Sequence, residues 1–418
     1  MKRDLDDLMT ARNLDAILVQ GKVLGNPPLI YLLNGVHMTS AIVIKKRDAI
    51  PTLLVGPMER EMAAQVGYPM LITSRYEYSA LLEQHQGDHL AASVDYYRAI
   101  FADLDVSGRL GCYGYLDQGY AYALLSALDG AIPDIEVVGE LEDDLIRTAR
   151  ATKDPDEVAR IRAVGQKTVS VVKQTLAFLQ SHPVASDETL RKANDQTLTV
   201  GDVHRQIADL IAQASLEDPE GFIFATGRDT GIPHSRGKLG APLRLGEPIV
   251  FDIFPREVGG GYFFDLTRTF CLGYAPPSVA RLHRDVVDCL EMLKAEMRSG
   301  AEARRYQQMA CALLHERGHP TLEEDPGTQV GYVHSIGHGI GLDIHEAPRF
   351  RNDPGNRVVL TPGHLFAVEP GLYYPEKAMG CRVEDVLWIA EDGEVHDLTT
   401  LPYDLVVPMG QDGGGAAQ

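Results

Sequence analysis

The chain has 418 residues, 44% hydrophobic and 23% charged, which is the balance of a folded protein of two domains and excludes a disordered one. Lysine and arginine total 39 against 59 acids, so the net charge of −20 excludes a nucleic-acid partner and otherwise serves solubility. Five scattered cysteines with no C-x-x-C pair, and no run of ~18 apolar residues, exclude a disulfide framework and a membrane span.

In chain order, the acids directly after Met1-Lys2-Arg3 predict no signal peptide, and hence a cytoplasmic location. A helix is expected over Asp4–Arg12, then short strands at Asp15–Val19, Ala41–Ile44 and Pro51–Val55. A helix over Ala92–Leu104 and a strand over Gly111–Tyr115 follow. Strands alternating with helices predict an α/β domain over residues 1–150. His37, His85 and His89 stand alone there and read as structural or surface residues. After the helix-like Leu141–Arg150, Asp154 is a natural N-cap with Pro155 at the first helical position. Val158, Ile161 and Val164, then Val172, Leu176 and Leu179, keep helical spacing up to His182-Pro183.

From 151 to 410 the pattern changes. Helices are expected at about 203–215, 278–298 and 304–317. Ile249–Phe254 and Tyr262–Phe270 flank Gly259–Gly261 and read as a β-hairpin. His364–Glu369, Cys381–Ile389 and Val395–Leu398 read as further strands, which makes this second domain α+β. The tail, 411–418, cannot bury anything and is expected to be disordered.

The chemistry concentrates in this second domain. Asp252 and Asp265 lie on facing arms of the hairpin, where a buried carboxylate must find a cation or shed its charge. Glu369 ends an apolar strand before Pro370-Gly371, and Glu384 stands inside Cys381–Trp388. Strand period places Arg382 on the face of Glu384, as support for that carboxylate or as its plain ion-pair partner. His338 is enclosed by Gly337, Gly339 and Gly341, glycines that allow close approach to a metal and substrate. His334 and His345 flank it, and His234 stands in a loop. Four carboxylates and an imidazole suit two divalent ions sharing a water, the equipment of a hydrolase.

Taken in order, Asp252, Asp265-x-Thr267-Arg268-Thr269, Gly337-His338-Gly339-x-Gly341, Glu369-Pro370-Gly371 and Arg382-x-Glu384-Asp385 resemble the pita-bread metallopeptidases: methionine aminopeptidases, aminopeptidase P and prolidases. The resemblance covers the whole chain. Leu14–Leu18 resembles the creatinase-type N-terminal domain, which methionine aminopeptidases lack, and this favours the proline-specific branch, as does the spacing of His334, His338 and His345. It implies an α/β N-terminal domain followed by an α+β pita-bread catalytic domain. It further implies that Asp252 holds one metal, that Asp265 and Glu384 bridge both, and that His338 and Glu369 complete the second. Glu369 would shuttle the proton of the attacking water. His345 and His234 would position substrate and stabilise the oxyanion, His334 would line the pocket, and Arg382 would support a ligand. Manganese is the expected metal, with cobalt or zinc as alternatives, and a homodimer is the expected assembly. The hairpin from Asp252 to Asp265 is about two residues longer than the family spacing, and Ile253-Phe254-Pro255 replaces a small residue or glycine; both bear on the shape of the cleft.

The implied function is an Xaa-Pro dipeptidase acting on short proline-containing peptides. An aminopeptidase P or a proline-specific carboxypeptidase would share the chemistry and differ in the length of the cleft. A creatinase-like amidinohydrolase works without metal, and non-catalytic binding modules on this fold lose ligands. The intact set of acids and His338 argues against both.

Overall fold

The computed structural model describes residues 2–141 and 143–410, so the tail at 411–418 lies outside the described residues. One compact unit runs to Arg150 and takes in Gly259–Gly261; the other comprises Ala151–Val258 and the chain from Tyr262 onward.

The first unit is an α/β domain on a mixed sheet of order β4-β3-β2-β1-β5-β6. Its strands are Ala16–Lys22 (β1), Ser40–Lys46 (β2), Thr52–Val55 (β3), Met70–Ile72 (β4), Gly108–Tyr113 (β5) and Ile135–Val138 (β6). β1 runs antiparallel to β2 and parallel to β5. The branched residues that mark these strands in the sequence face inward: Leu18, Ile44, Leu54 and Leu110 form one cluster. Val94, Ile100 and Phe101 of the helix His89–Asp103, and Leu124 and Leu128 of the helix Gln118–Ala131, cover it. Asp88 caps the first of these helices, accepting from the N–H groups of Leu90 and Ala91. The second helix and β6 escape the sequence reading. Tyr120 and Tyr122 are exposed on that helix, which blurs its apolar stripe.

The second unit opens with the helix Pro155–Gln180. The Asp154 N–H donates to Glu157 Oε2 at 2.8 Å, and Pro155 occupies the first turn, as the sequence predicts. Helices Val200–Gln213, Pro277–Glu296 and Arg304–Glu316 follow. The strands are Leu216–Glu217 (β7), Ile223–Thr226 (β8), Pro248–Ile253 (β9), Arg256–Glu257 (β10), Leu266–Leu272 (β11), Gly337–Gly339 (β12), Glu346–Arg349 (β13), Leu365–Val368 (β14), Gly371–Tyr374 (β15), Met379–Arg382 (β16), Asp385–Ile389 (β17), Val395–Asp397 (β18) and Val406–Val407 (β19). They assemble as β19-β11-β9-β8, β13-β12-β14-β17-β18, β15-β16 and β10-β7. The main core joins Val286, Leu290 and Leu293 of one helix to Phe366, Val368, Leu372 and Leu387 of the sheets.

One sequence expectation changes here. The strand expected over Cys381–Ile389 is broken at Val383-Glu384: β16 pairs with β15, whereas β17 pairs with β14. Each half is apolar enough for one strand, but the chain crosses from one sheet to another between them. The expected hairpin is present: beyond β9 and β11 its arms stay paired through Phe264 N–H to Pro255 O, Glu257 N–H to Tyr262 O and an Arg256–Phe263 bridge, while β10 also pairs with β7.

His283, on the helix Pro277–Glu296, gives this unit an acid-sensitive element. It is buried with no partner for Nε2, and burial, then the Arg268 charge, push its pKa from 6.5 down to about 4. Between those values the unfolded chain binds the proton and the folded chain does not, so unfolding gains as acid is added. This contribution is absent above the unfolded pKa and grows as pH falls toward about 4, reaching on the order of 3 kcal/mol. Urea unfolding at pH 7 and pH 5 should show a smaller loss for His283→Leu than for the parent. Equal losses would mean that His283 is protonated without cost.

Candidate metal centre

Five side chains named from the sequence meet at the seam between the sheets. Asp252 comes from β9, and Asp265 stands just before β11, diagonal to it in a register that pairs Thr267 with Asp252. His338 is the middle residue of β12, Glu369 follows β14, and Glu384 occupies the break between β16 and β17. Asp265, His338 and Glu384 each present a ligand atom within 4.8 Å of the others. His338 Nε2 is 3.7 Å from Asp265 Oδ2, 3.7 Å from Glu369 Oε1 and 4.0 Å from Glu384 Oε1. These gaps are too long for hydrogen bonds and match the roughly 3–4 Å between atoms that share an ion at ~2.1 Å.

The electrostatics favour a cation at this point. Asp252 Oδ1, Asp265 Oδ1 and Glu384 Oε1 are buried with no hydrogen-bond donor, an expensive state for a carboxylate oxygen. Burial, with the neighbouring carboxylates adding to it, pushes Asp265 and Glu384 well above the usual range. Glu369 is raised to about 8, chiefly by burial, against the opposing pull of Arg382. His338 Nδ1–H donates to Gly339 O at 3.1 Å, which turns the Nε2 lone pair toward the acids. Burial and the nearby His345 push its pKa to about 3, so it stays neutral as a metal ligand must. The donor set and its orphaned oxygens fit divalent ions.

The glycines around His338 make room for the neighbouring strands. A Cβ at Gly337 would overlap the Ala367 carbonyl oxygen of β14, and one at Gly339 would overlap Ala347 O of β13. The close approach they permit is between strands, which lets β12 fit between two neighbours and hold His338 there. Gly339→Ala is expected to cost roughly 1–3 kcal/mol of stability and to weaken divalent binding. Urea unfolding and calorimetric titration would check this, and parent-like values in both would show that β13 yields freely.

Arg382 is not the ion-pair partner of Glu384. Its Nη2 donates to Asp252 Oδ2, Nη1 to Tyr373 OH at 2.8 Å and to Pro233 O at 3.2 Å, and Nε to Thr267 Oγ1 at 3.3 Å. The break after Arg382 removes the strand alternation that would have paired it with Glu384. The Asp-x-Thr-Arg-Thr run explains how Glu384 is held instead. Thr267 Oγ1 donates to Glu384 Oε2 at 2.7 Å, and Arg268 Nη1 to the Glu384 carbonyl at 2.7 Å. Thr269 Oγ1 donates to Arg382 O at 2.8 Å. These three residues tie β11 to the segment that crosses between sheets.

The remaining histidines line the same cavity, of about 520 Å3. The His345 ring lies 4.3 Å from that of His338, centroid to centroid, and burial lowers its pKa. His334 uses both nitrogens, bonding Ser335 O and Tyr373 OH at 2.8 Å each. His234 is exposed on its loop at the cavity wall. Tyr373, Glu220 and Arg236 were not singled out from the sequence. Tyr373 joins Arg382 to His334, and Glu220 and Arg236 are charged residues of the cavity wall. No local pattern marks them, since each matters only through what the fold places opposite.

The sequence model of metallopeptidase family M24 matches residues 159–391. The chain is 30% identical over 312 residues to the "Probable dipeptidase PepE" of Mycobacterium tuberculosis, covering 70% of this chain and 75% of that one. In structure it is similar to an Xaa-Pro dipeptidase from Bacillus anthracis, with a TM-score of 0.73 at 21% identity over 97% of this chain and 99% of the other. It is also similar to an X-Pro aminopeptidase from Thermotoga maritima, with a TM-score of 0.72 at 20% identity over 95% and 99% of the two chains. The fold is therefore the pita-bread fold behind an N-terminal α/β domain.

Proposed function

We propose that this chain, which belongs to metallopeptidase family M24, a family of hydrolases that implies a two-metal centre, is an Xaa-Pro dipeptidase. The observation that carries the reading is the cluster of Asp265, Glu369 and Glu384 around His338 Nε2, with donorless buried oxygens on Asp252, Asp265 and Glu384, inside a cavity of about 520 Å3 walled by Pro233, Ile223, Phe254 and Ile344. An apolar wall beside the acids suits a pyrrolidine ring next to the scissile bond. Relatives named as dipeptidases agree with it.

In this reading Asp252, Asp265, His338, Glu369 and Glu384 would hold the ions. Two divalent ions supply Lewis acidity toward the scissile carbonyl and the attacking water. Manganese is the expected metal, because four carboxylates beside one imidazole form a hard donor set; cobalt and zinc are the alternatives. Glu369, which borders both the cavity and His338, would take the proton of the attacking water and deliver it to the prolyl nitrogen. That nitrogen belongs to a tertiary amide and must be protonated to leave. His345 and His234 donate to the carbonyl oxygen as it gains charge. Arg382 holds Asp252 in place through its Nη2. Among the described residues no helix is long and apolar enough to cross a membrane. A cytoplasmic homodimer is the expected state, to be checked by light scattering.

Metal-stripped protein, with and without manganese, should be given Ala-Pro, Ala-Pro-Ala and a blocked Xaa-Pro-Xaa peptide, with products identified by mass. Manganese-dependent cleavage of Ala-Pro alone is the expected result. Release of alanine from the tripeptide would make the enzyme an aminopeptidase P, the reading favoured by its likeness to the Thermotoga structure. Trimming of the blocked peptide would make it a carboxypeptidase.

A further inference from the structure

The geometry points to Glu346, clamped by Lys153, as the residue that fixes where His345 stands in the cavity. The inference rests on the peptidase reading above, in which His345 donates to the scissile carbonyl, and extends it to two residues that do not line the cavity.

The histidines nearest the acids are held in different ways. His334 bonds through both nitrogens and His338 through Nδ1. The His345 ring lies against that of His338, but among the described residues no hydrogen bond holds it. Its place is therefore set by the main chain that carries it. That main chain is irregular. The ladder between β12 and β13 pairs His338 with Arg349 but Gly339 with Glu346, so the register shifts beside the site. Regular strand pairing does not pin this stretch.

Glu346 supplies the anchor. His345 lines the cavity, whereas the next side chain turns into the interior and is 5% exposed. Its Oε1 accepts from Lys153 Nζ, and the lysine side chain is 1% exposed. Gly341 leaves the room, because a Cβ there would overlap Glu346 Oε1. The lysine is itself held in place. Its N–H donates to Gly363 O at 2.8 Å, the preceding Thr152 bridges His364, and Asp154 opens the helix Pro155–Gln180.

A buried ion pair adds little stability over an apolar pair of like volume, because both charges lose water. What it adds is direction. A charge-assisted hydrogen bond fixes one carboxylate oxygen against one ammonium, where an apolar contact can slide. A carboxylate fixed one residue from the imidazole fixes the main chain that carries the imidazole. Misplacing a reacting group by about 1 Å costs on the order of 100-fold in rate, so the pair acts on catalysis through His345. Lys153 and Glu346 are positioning residues.

The test replaces both partners, Lys153→Met together with Glu346→Leu, which leaves neither charge of the pair buried alone. On the manganese-loaded enzyme this double variant should lower kcat for Ala-Pro by roughly 10- to 100-fold. KM and the calorimetric affinity for manganese should stay close to the parent's. Glu346→Gln, which keeps an acceptor for Lys153, should lose less. His345→Ala should itself slow the reaction by roughly 100-fold. In that background the double change should cost less than about twofold more, since no imidazole is left to misplace. An equal loss in both backgrounds would overturn the assignment, as would a parent-like kcat. Proton NMR of zinc-loaded protein reads the ring directly. The His345 Cε1–H signal, identified by its absence in His345→Ala, should shift or broaden in the double variant while that of His85 stays. An unmoved signal would also overturn the assignment. A parent that cleaves no peptide would refute the peptidase reading, and a His345→Ala variant as fast as the parent would refute the role of that imidazole. In either case the NMR signal alone decides the clamp.

Discussion

Glu384→Gln is expected to lower peptide hydrolysis by about 1,000-fold or more, while the metal-free protein becomes more resistant to unfolding. The two effects have one cause. Glu384 is 1% exposed, and its Oε1 has no donor. Burial and the charges of Glu369 and Asp252 push its proton affinity far above that of an ordinary carboxyl. Without an ion this cluster of acids repels itself, and the folded state carries that cost. A glutamine keeps the oxygen that accepts from Thr267 Oγ1 and removes one charge, which should stabilise the metal-free fold by about 1 kcal/mol. In the proposed two-metal reading the same change removes an anionic ligand. Manganese is expected to raise the melting temperature of the parent by binding the folded state, and should then raise that of the variant little. Thermal unfolding with and without manganese, beside the Ala-Pro assay, measures all three. Full activity in the variant would sink the two-metal reading, and so would a parent-sized manganese shift. Asp265→Asn should behave alike, since Asp265 Oδ1 is likewise buried without a donor.

The second large effect is expected at Arg382. Arg382→Met keeps much of the volume but leaves Asp252 buried without its guanidinium, and it strips donors from Tyr373, Pro233 and Thr267. Breaking one side of a buried ion pair costs roughly 3–5 kcal/mol, far more than an exposed pair would. Activity should fall too, because Asp252 loses the group that orients it. Arg382→Lys should retain part of the stability but not the fork that reaches Asp252 and Tyr373 at once. Urea unfolding of the metal-free proteins is the measurement. A loss below ~1 kcal/mol for the methionine variant would show that water reaches Asp252 and takes over the role of the guanidinium.

The candidate acidic ligands stand out in the sequence because each lies in or beside a short apolar segment, where an acid is costly without a partner. Asp252 within Ile249–Phe254 and Glu369 after Phe366–Val368 are of this kind. The strands of the α/β domain were legible for the same reason, through runs such as Ile42–Ile44 and Leu53–Val55. The helix Gln118–Ala131 was not, because exposed tyrosines interrupt its apolar face. The partner of Arg382 was misread. Strand alternation is a local rule, and the chain leaves its strand after Arg382 to join another sheet.

What the sequence determined alone, then, is composition-limited chemistry: which side chains need a cation, which segments alternate, and where helices are capped. Tertiary structure alone decided which of those groups meet. Glu384 lies beside Asp265 because Thr267, Arg268 and Thr269 anchor the crossing segment, and the glycines beside His338 exist for the strands on either side of it. The physical reason is that burial and periodicity act along the chain, whereas pairing energies depend on separations that only the folded chain sets.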